Sequence, residues 1–167
     1  MATAAPATAS TAIAGNCPSA CGAPAGGGVK DHNIISTNHL TEEAAVRAAQ
    51  AALNAAEADG QRVSVAVVDR NGNTIVQLRG DGAGPHTFES ARRKAYTAAS
   101  FNAPTSVLVG RLEQNPTLAD IPGTLFLAGG LPIHYQGAAV AGIGVAGAPS
   151  GLSDEQYAQA GIAAISH

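Results

Sequence analysis

Aromatic side chains are scarce in this chain: three Tyr, three Phe and no Trp make up 4% of its residues. A core built on large rings is therefore excluded. The apolar share is nonetheless 46%, and much of it is alanine. Methyl groups bury little area at about 25 cal/mol per Å², so such a core depends on close backbone approach, and assembly of copies is an expected further source of stability. Charge is sparse too, at 13% of residues with a net value of −3. That is too little to point to nucleic acid or to an anionic membrane surface as a partner. No apolar run reaches the roughly 20 residues of a membrane span, so membrane insertion is not expected. Cysteine is almost missing: Cys17 and Cys21 are the only two. Their C-x₃-C spacing lacks the second pair that a four-ligand zinc site needs, and a disulfide between them would close only a tiny loop. They read as an oxidisable pair in a flexible tail, with a redox or intermolecular role as the alternative.

Charge is absent altogether from residues 2–29, where Ala, Gly, Pro, Ser and Thr dominate. Such a segment buries too little apolar surface to offset its ordering entropy, so residues 1–38 are expected to be a disordered tail and 39–167 the folded domain. At 167 residues one domain is the natural division. The tail lacks the basic start and Leu-rich centre of a secretory signal. It resembles the mature tail of an exported protein in which Met1 replaces the signal. A secreted or cell-envelope exterior location is therefore expected, with the cytoplasm as the alternative.

What is present begins near Leu40. Thr41 is a good N-cap ahead of Glu42 and Glu43; Val46, Ala49, Leu53 and Ala56 form the apolar stripe; Glu43 can pair with Arg47; Gly60 ends the helix. VSVAVVD (63–69) and TIVQLR (74–79) read as a hairpin turned by Asn71-Gly72. Helices are predicted over 86–101 and, after Pro104, over 105–114, capped by Thr105 or Ser106. Strands are predicted at 124–128, 132–136 and 138–146, with Gly129-Gly130 and Gln136-Gly137 as turns, and Ser153 is predicted to N-cap a last helix through Ile165. This order makes an α+β domain: one five-stranded antiparallel sheet flanked by about four helices.

The richest stretch chemically is RGDGAGPHTFESARRKAYTAASFNAPTS, residues 79–106. At about 100° per residue, Phe88, Ala91, Ala95, Ala98 and Ala99 fall in one arc, and His86, Glu89, Arg93, Tyr96 and Ser100 fall opposite. His86 stands in the first helical turn, where the dipole disfavours the imidazolium and leaves the neutral form that ligates iron. Asp81, His86 and Glu89 together can hold a non-haem iron or a similar divalent ion. The plainer alternative makes Asp81 a loop cap, Glu89 solvated and His86 simply polar. Arg92, Arg93 and Lys94 form the only basic cluster; they suit either a carboxylate ligand or an ion pair with an acidic residue. Arg93 shares the His86 stripe. Thr105 and Ser106 offer free N–H groups to an anion or simply cap their helix. His39 precedes the first helix, within reach of a neighbouring subunit, and His134 reads as structural. G-I-G-V-A-G (142–147) lacks the following helix of a dinucleotide fingerprint, so its glycines are assigned to tight packing.

SVAVVDRNGN, LRGDGAGPHTFESARRKAYTAAS, LADIPGTLFLAGGLPI and GAAVAGIGVAGAPSG resemble the GlcG/HbpS family, also called haem-degrading HbpS-like, which includes the C-terminal domain of PduO-type proteins. The likeness covers residues 40–166 and is strongest to the secreted haem-binding branch. It implies a five-stranded antiparallel sheet, homo-oligomers (octamers in that branch), and haem or iron as cofactor. From the residues themselves, the candidate metal ligands are His86, Asp81, Glu89 and His39. Arg93 or Lys94 would hold a propionate, Thr105 would contribute from its helix start, and Phe88, Tyr96, Phe101 or Leu125 would cover the porphyrin. Three functions follow: a binding protein that sequesters haem, an enzyme that degrades haem or acts on a small organic acid, or a haem-sensing oligomer that contacts a membrane sensor protein. No nucleophile–base–orienter triad supports the second.

Overall fold

VSVAVV places β-branched or small residues at every position, as a strand buried on both faces requires. In the computed structural model, which describes residues 28–166, this run is the centre of the sheet. The sheet is antiparallel in the order β2–β1–β4–β3, with β1 at Ser64–Asp69, β2 at Thr74–Arg79, β3 at Gly130–Tyr135 and β4 at Ala138–Ala146. Val65 and Val67 turn to one side, into a cluster with Ala45, Ala48, Ala49 and Ala52 of helix α1 (Glu42–Ala58) and Tyr157 and Ala158 of helix α4 (Gly151–Ala163). Ala66 and Val68 turn to the other side, against Ala91 and Ala95 of helix α2 (Pro85–Phe101). A short α3 (Thr105–Val109) follows α2. All this lies in the unit beginning at Thr37. Of the residues before it, Asp31–Asn33 form an exposed 3₁₀ turn. Cys17, Cys21 and His167 lie outside the described residues.

Small residues set the spacing between α2 and the sheet. A Cβ on Gly144 would stand 2.2 Å from the Ala91 carbonyl oxygen, and one on Gly142 would stand 2.3 Å from that of Ala95. The helix backbone therefore rests directly on β4. The few large side chains are not needed there, as the alanine-rich composition implied.

Several local expectations hold. Thr41 Oγ1 accepts the Ala44 N–H at 3.3 Å, Arg47 pairs with Glu43 at 2.6 Å, and Gln136-Gly137 (φ 50° and 81°) make the tight turn between β3 and β4. Others are corrected. The sheet has four strands, because residues 124–128 form no strand. Their polar backbone is taken by α2 instead: Thr97 Oγ1 accepts the Leu125 N–H at 2.8 Å and Arg93 donates to the Thr124 carbonyl. Asn71-Gly72 turns the β1–β2 hairpin with only Gly72 at positive φ (87°), in a longer loop organised by the Asp69 carboxylate. Ser150 caps α4 rather than Ser153, which instead donates its N–H to Ser150 Oγ at 3.1 Å. Val46 is 48% exposed and Phe88 42% exposed, because Ala45 and Ala48 face the α1 core, and Thr87 and Ala91 face the α2 core.

Candidate functional site

Helix α2 opens without a side-chain cap at Gly84, with Pro85 as its first residue. The His86 imidazole lies over Gly84, where a Cβ would come within 2.8 Å of Cε1. His86 is exposed, and neither ring nitrogen has a hydrogen-bond partner among the described residues. Ser90 and Lys94 follow at successive four-residue steps on the same face. These three residues, together with Leu127, Pro149 and Asp154, line a cleft of about 270 Å³.

The inner wall of the cleft is ionic. Lys94 and Asp154 are only 1% and 3% exposed, and their side chains meet at 2.8 Å. Lys94 Nζ also donates to the Val145 carbonyl at 3.0 Å, while Asp154 Oδ1 accepts the Ala148 N–H at 3.0 Å. Burial pushes the Asp154 carboxyl above the usual carboxylate range, and the Lys94 ammonium and the backbone N–H donors oppose that rise. A Cβ on Gly129 would come within 2.8 Å of Lys94 Nζ and 2.7 Å of Asp154 Cβ, so only glycine lets the pair close.

The other predicted site residues are dispersed. Glu89 is bound by Arg92 at 2.6 and 3.0 Å. That contact holds its carboxyl below the usual range and raises the guanidinium. Arg93 is half-buried and donates to the Thr124 carbonyl. Tyr96 packs beneath the Gly72 and Gly123 turns. Thr105 is buried and bonds both backbone groups of Gly130, so it neither caps α3 nor presents a free hydroxyl. Phe101 packs edge-on against Phe126 with ring centroids 5.3 Å apart. His39 is exposed and bonds Thr37 Oγ1 at 2.9 Å, and His134 bonds Asn102 at 2.6 Å. Asp81 lies by a separate cleft with Glu57 and Arg62. Among the described residues no three His, Cys, Asp or Glu side chains converge in a metal-holding group. His39, Asp81, His86 and Glu89 are thus not assembled within one chain.

Sequence reasoning set Lys94 in a basic cluster suited to a carboxylate ligand or to an ion pair, and named no acidic partner for it. The structure supplies one, Asp154. One signal was available: at 100° per residue Lys94 falls 40° beyond Ala98, at the border of the apolar arc rather than on the His86 stripe, and a lysine drawn inward there requires a partner.

The family model described as haem degrading protein HbpS-like matches residues 40–163. The chain belongs to the HbpS-like family. Among solved structures, a double glutamate-to-aspartate mutant of Streptomyces reticuli HbpS is 64% identical, with a TM-score of 0.84, covering 87% of this chain and 99% of that one. The Klebsiella pneumoniae protein ORFY is 25% identical, with a TM-score of 0.74, covering 79% of this chain and 94% of that one. A complex of PduOC with haem is 25% identical, with a TM-score of 0.71, covering 77% of this chain and 96% of that one. No curated protein sequence matches the chain. Within the HbpS-like family, four strands and four α-helices are therefore how this chain builds its α+β domain. None of its described helices is long and apolar enough to cross a membrane.

Proposed function

We propose that this chain binds haem at the cleft headed by His86. One observation carries the proposal: an exposed imidazole, unbonded in the described residues and held at a helix N-terminus, stands at the mouth of that cleft. A neutral imidazole nitrogen is the form that coordinates iron. The description of the family as haem degrading and the PduOC–haem relative support the ligand's identity. Bound haem would supply an iron atom that His86 would hold through a ring nitrogen.

The cleft is small for a whole porphyrin. At about 270 Å³ the cleft falls below the roughly 300–1,000 Å³ of enclosed ligand pockets. One chain would therefore cover only part of a porphyrin, and a second copy would complete the site. Lys94 is engaged with Asp154 and Arg93 with Thr124, so a propionate would have to displace one of those contacts or face solvent. Leu127, 51% exposed, offers a large apolar side chain in the lining of the cleft.

Haemin titration of the parent and of His86→Ala tests the proposal. The variant should bind at least tenfold more weakly, a difference of about 1.4 kcal/mol, with a shifted Soret band. Equal affinity and an unchanged band would remove His86 as the ligand. Loss of the Soret band under reductant and oxygen would recast the chain as an enzyme that degrades the haem it binds.

A further inference from the structure

Helix α4 carries two acidic residues, and only Asp154 belongs to the cleft headed by His86. The other, Glu155, faces a different space. At about 100° per residue, Leu152, Glu155, Gln156 and Gln159 fall within one arc of α4. With Leu131 of β3 they line a second cleft, of about 350 Å³. That volume lies within the roughly 300–1,000 Å³ of ligand pockets. None of these five residues lines the His86 cleft.

The Glu155 carboxylate is half satisfied. Ser106 of α3 donates its hydroxyl to Oε1 at 2.9 Å, which fixes the group between two helices. Oε2 is buried and has no hydrogen-bond partner among the described residues. An acceptor cut off from water and left without a donor costs free energy, so such an atom calls for a partner. No cation of the described residues supplies one: the ion pairs there are Glu43–Arg47, Glu89–Arg92 and Asp154–Lys94. Gln156 and Gln159 are exposed, and neither side-chain amide is hydrogen-bonded among the described residues. Both are free to turn.

We propose that this cleft binds a small primary amine as its alkylammonium ion. The acceptors select that class. An ammonium has three N–H donors and no acceptor. Oε2 supplies one charged acceptor, and the side-chain carbonyls of Gln156 and Gln159 supply two neutral ones. Gln159 is a surface neighbour of both Glu155 and Gln156, at i,i+4 and i,i+3, so the three oxygens converge on one point. A guanidinium would need both carboxylate oxygens for its fork, and Ser106 holds one of them. A magnesium or calcium ion takes about six to eight oxygens, more than one carboxylate and two amides provide. Leu131 and Leu152 offer the alkyl stem an apolar wall, and Leu152, 64% exposed, would be covered by it. Because Oε2 is shut from water, the amine enters by displacing the glutamine side chains of the same arc.

The test titrates the full chain with n-pentylammonium chloride and, separately, with n-pentanol, its neutral counterpart. The amine should produce saturable shifts of the Ser106, Glu155, Gln156 and Gln159 amides in heteronuclear NMR spectra. The alcohol should bind at least about tenfold more weakly. Glu155→Gln keeps the size of the side chain while removing its charge, so it should weaken amine binding by at least about tenfold. No saturable shift at those amides overturns the proposal. An alcohol that binds as tightly as the amine does so too, since it would mark an apolar cleft only. A folded Glu155→Gln with the parent's affinity for the amine also overturns it. If that variant does not fold, the amine and alcohol titrations of the parent decide.

Discussion

Replacing Asp154 by Ala strips the partner from a lysine that water cannot reach. Lys94 is 1% exposed, and beyond Asp154 its Nζ has one hydrogen-bond partner among the described residues, the Val145 carbonyl at 3.0 Å. Removing one member of a buried ion pair costs about 3–5 kcal/mol, because the remaining charge stays desolvated. The Ala148 N–H also loses its acceptor, but Ala148 is only half-buried and can bond water instead, which adds little. Against a total stability of about 5–15 kcal/mol, the loss is a large fraction. At about 3–4 °C per kcal/mol for a unit of this size, Tm should fall by about 10–20 °C. Thermal and urea unfolding followed by circular dichroism, at one protein concentration, measures it. The double variant Lys94→Met/Asp154→Leu should recover most of the loss, since replacing both charges by apolar groups of similar volume is often neutral. Two results would refute the reasoning: Asp154→Ala within about 1 kcal/mol of the parent, or a double variant as unstable as the single one. The second would put the cost in the Gly147–Ser150 loop rather than in the charge.

Gly144→Ala should cost about 3 kcal/mol in urea unfolding, because its Cβ would meet the Ala91 carbonyl at 2.2 Å and the Ala95 nitrogen at 2.5 Å, and backbone cannot step aside; Gly110→Ala, with nothing within 4 Å, should cost nothing. For Asp69, burial raises the carboxyl, but the Asn73 side chain and the Asn73 and Asn71 backbone N–H groups together bring it below its ordinary value. A depressed folded value stabilises above the unfolded carboxylate value of about 3.9 and ceases to do so as pH falls through the folded one. The stability gap between the parent and Asp69→Ala should therefore be full at pH 7 and close below about pH 4, as a pH series of melting curves would show; a gap that widens on acidification would contradict this.

Much of the scaffold was readable residue by residue. Thr41, the Glu43–Arg47 pair, the bounds of α2 and the Gln136-Gly137 turn are all local matters of caps, spacing and positive φ, and they stand as expected. Residues 124–128 were not readable. TLFLA has strand composition, yet its N–H and C=O partners are the Thr97 hydroxyl and Arg93 guanidinium, which come from a helix nearly thirty residues earlier. The polar stripe of α2 was legible as a stripe, but its residues go separate ways. Glu89 turns to Arg92, Arg93 to the 124 loop and Tyr96 beneath two glycine turns, leaving His86 at the cleft.

The sequence by itself determined that this is an α+β domain with an alanine–glycine interior, that α2 carries its chemistry, and that it resembles the HbpS-like family. Those properties follow from local periodicity, capping and motif order, which neighbouring residues decide among themselves. Only the tertiary structure decided that Lys94 is a buried partner of Asp154, sixty positions away, that Thr105 closes one sheet edge and that β2 leaves the other open. The reason is physical. A side chain's charge, hydroxyl or backbone neighbour acquires a role only when desolvation forces it to find a partner, and which partner lies within about 3 Å is set by packing between elements that the sequence keeps far apart.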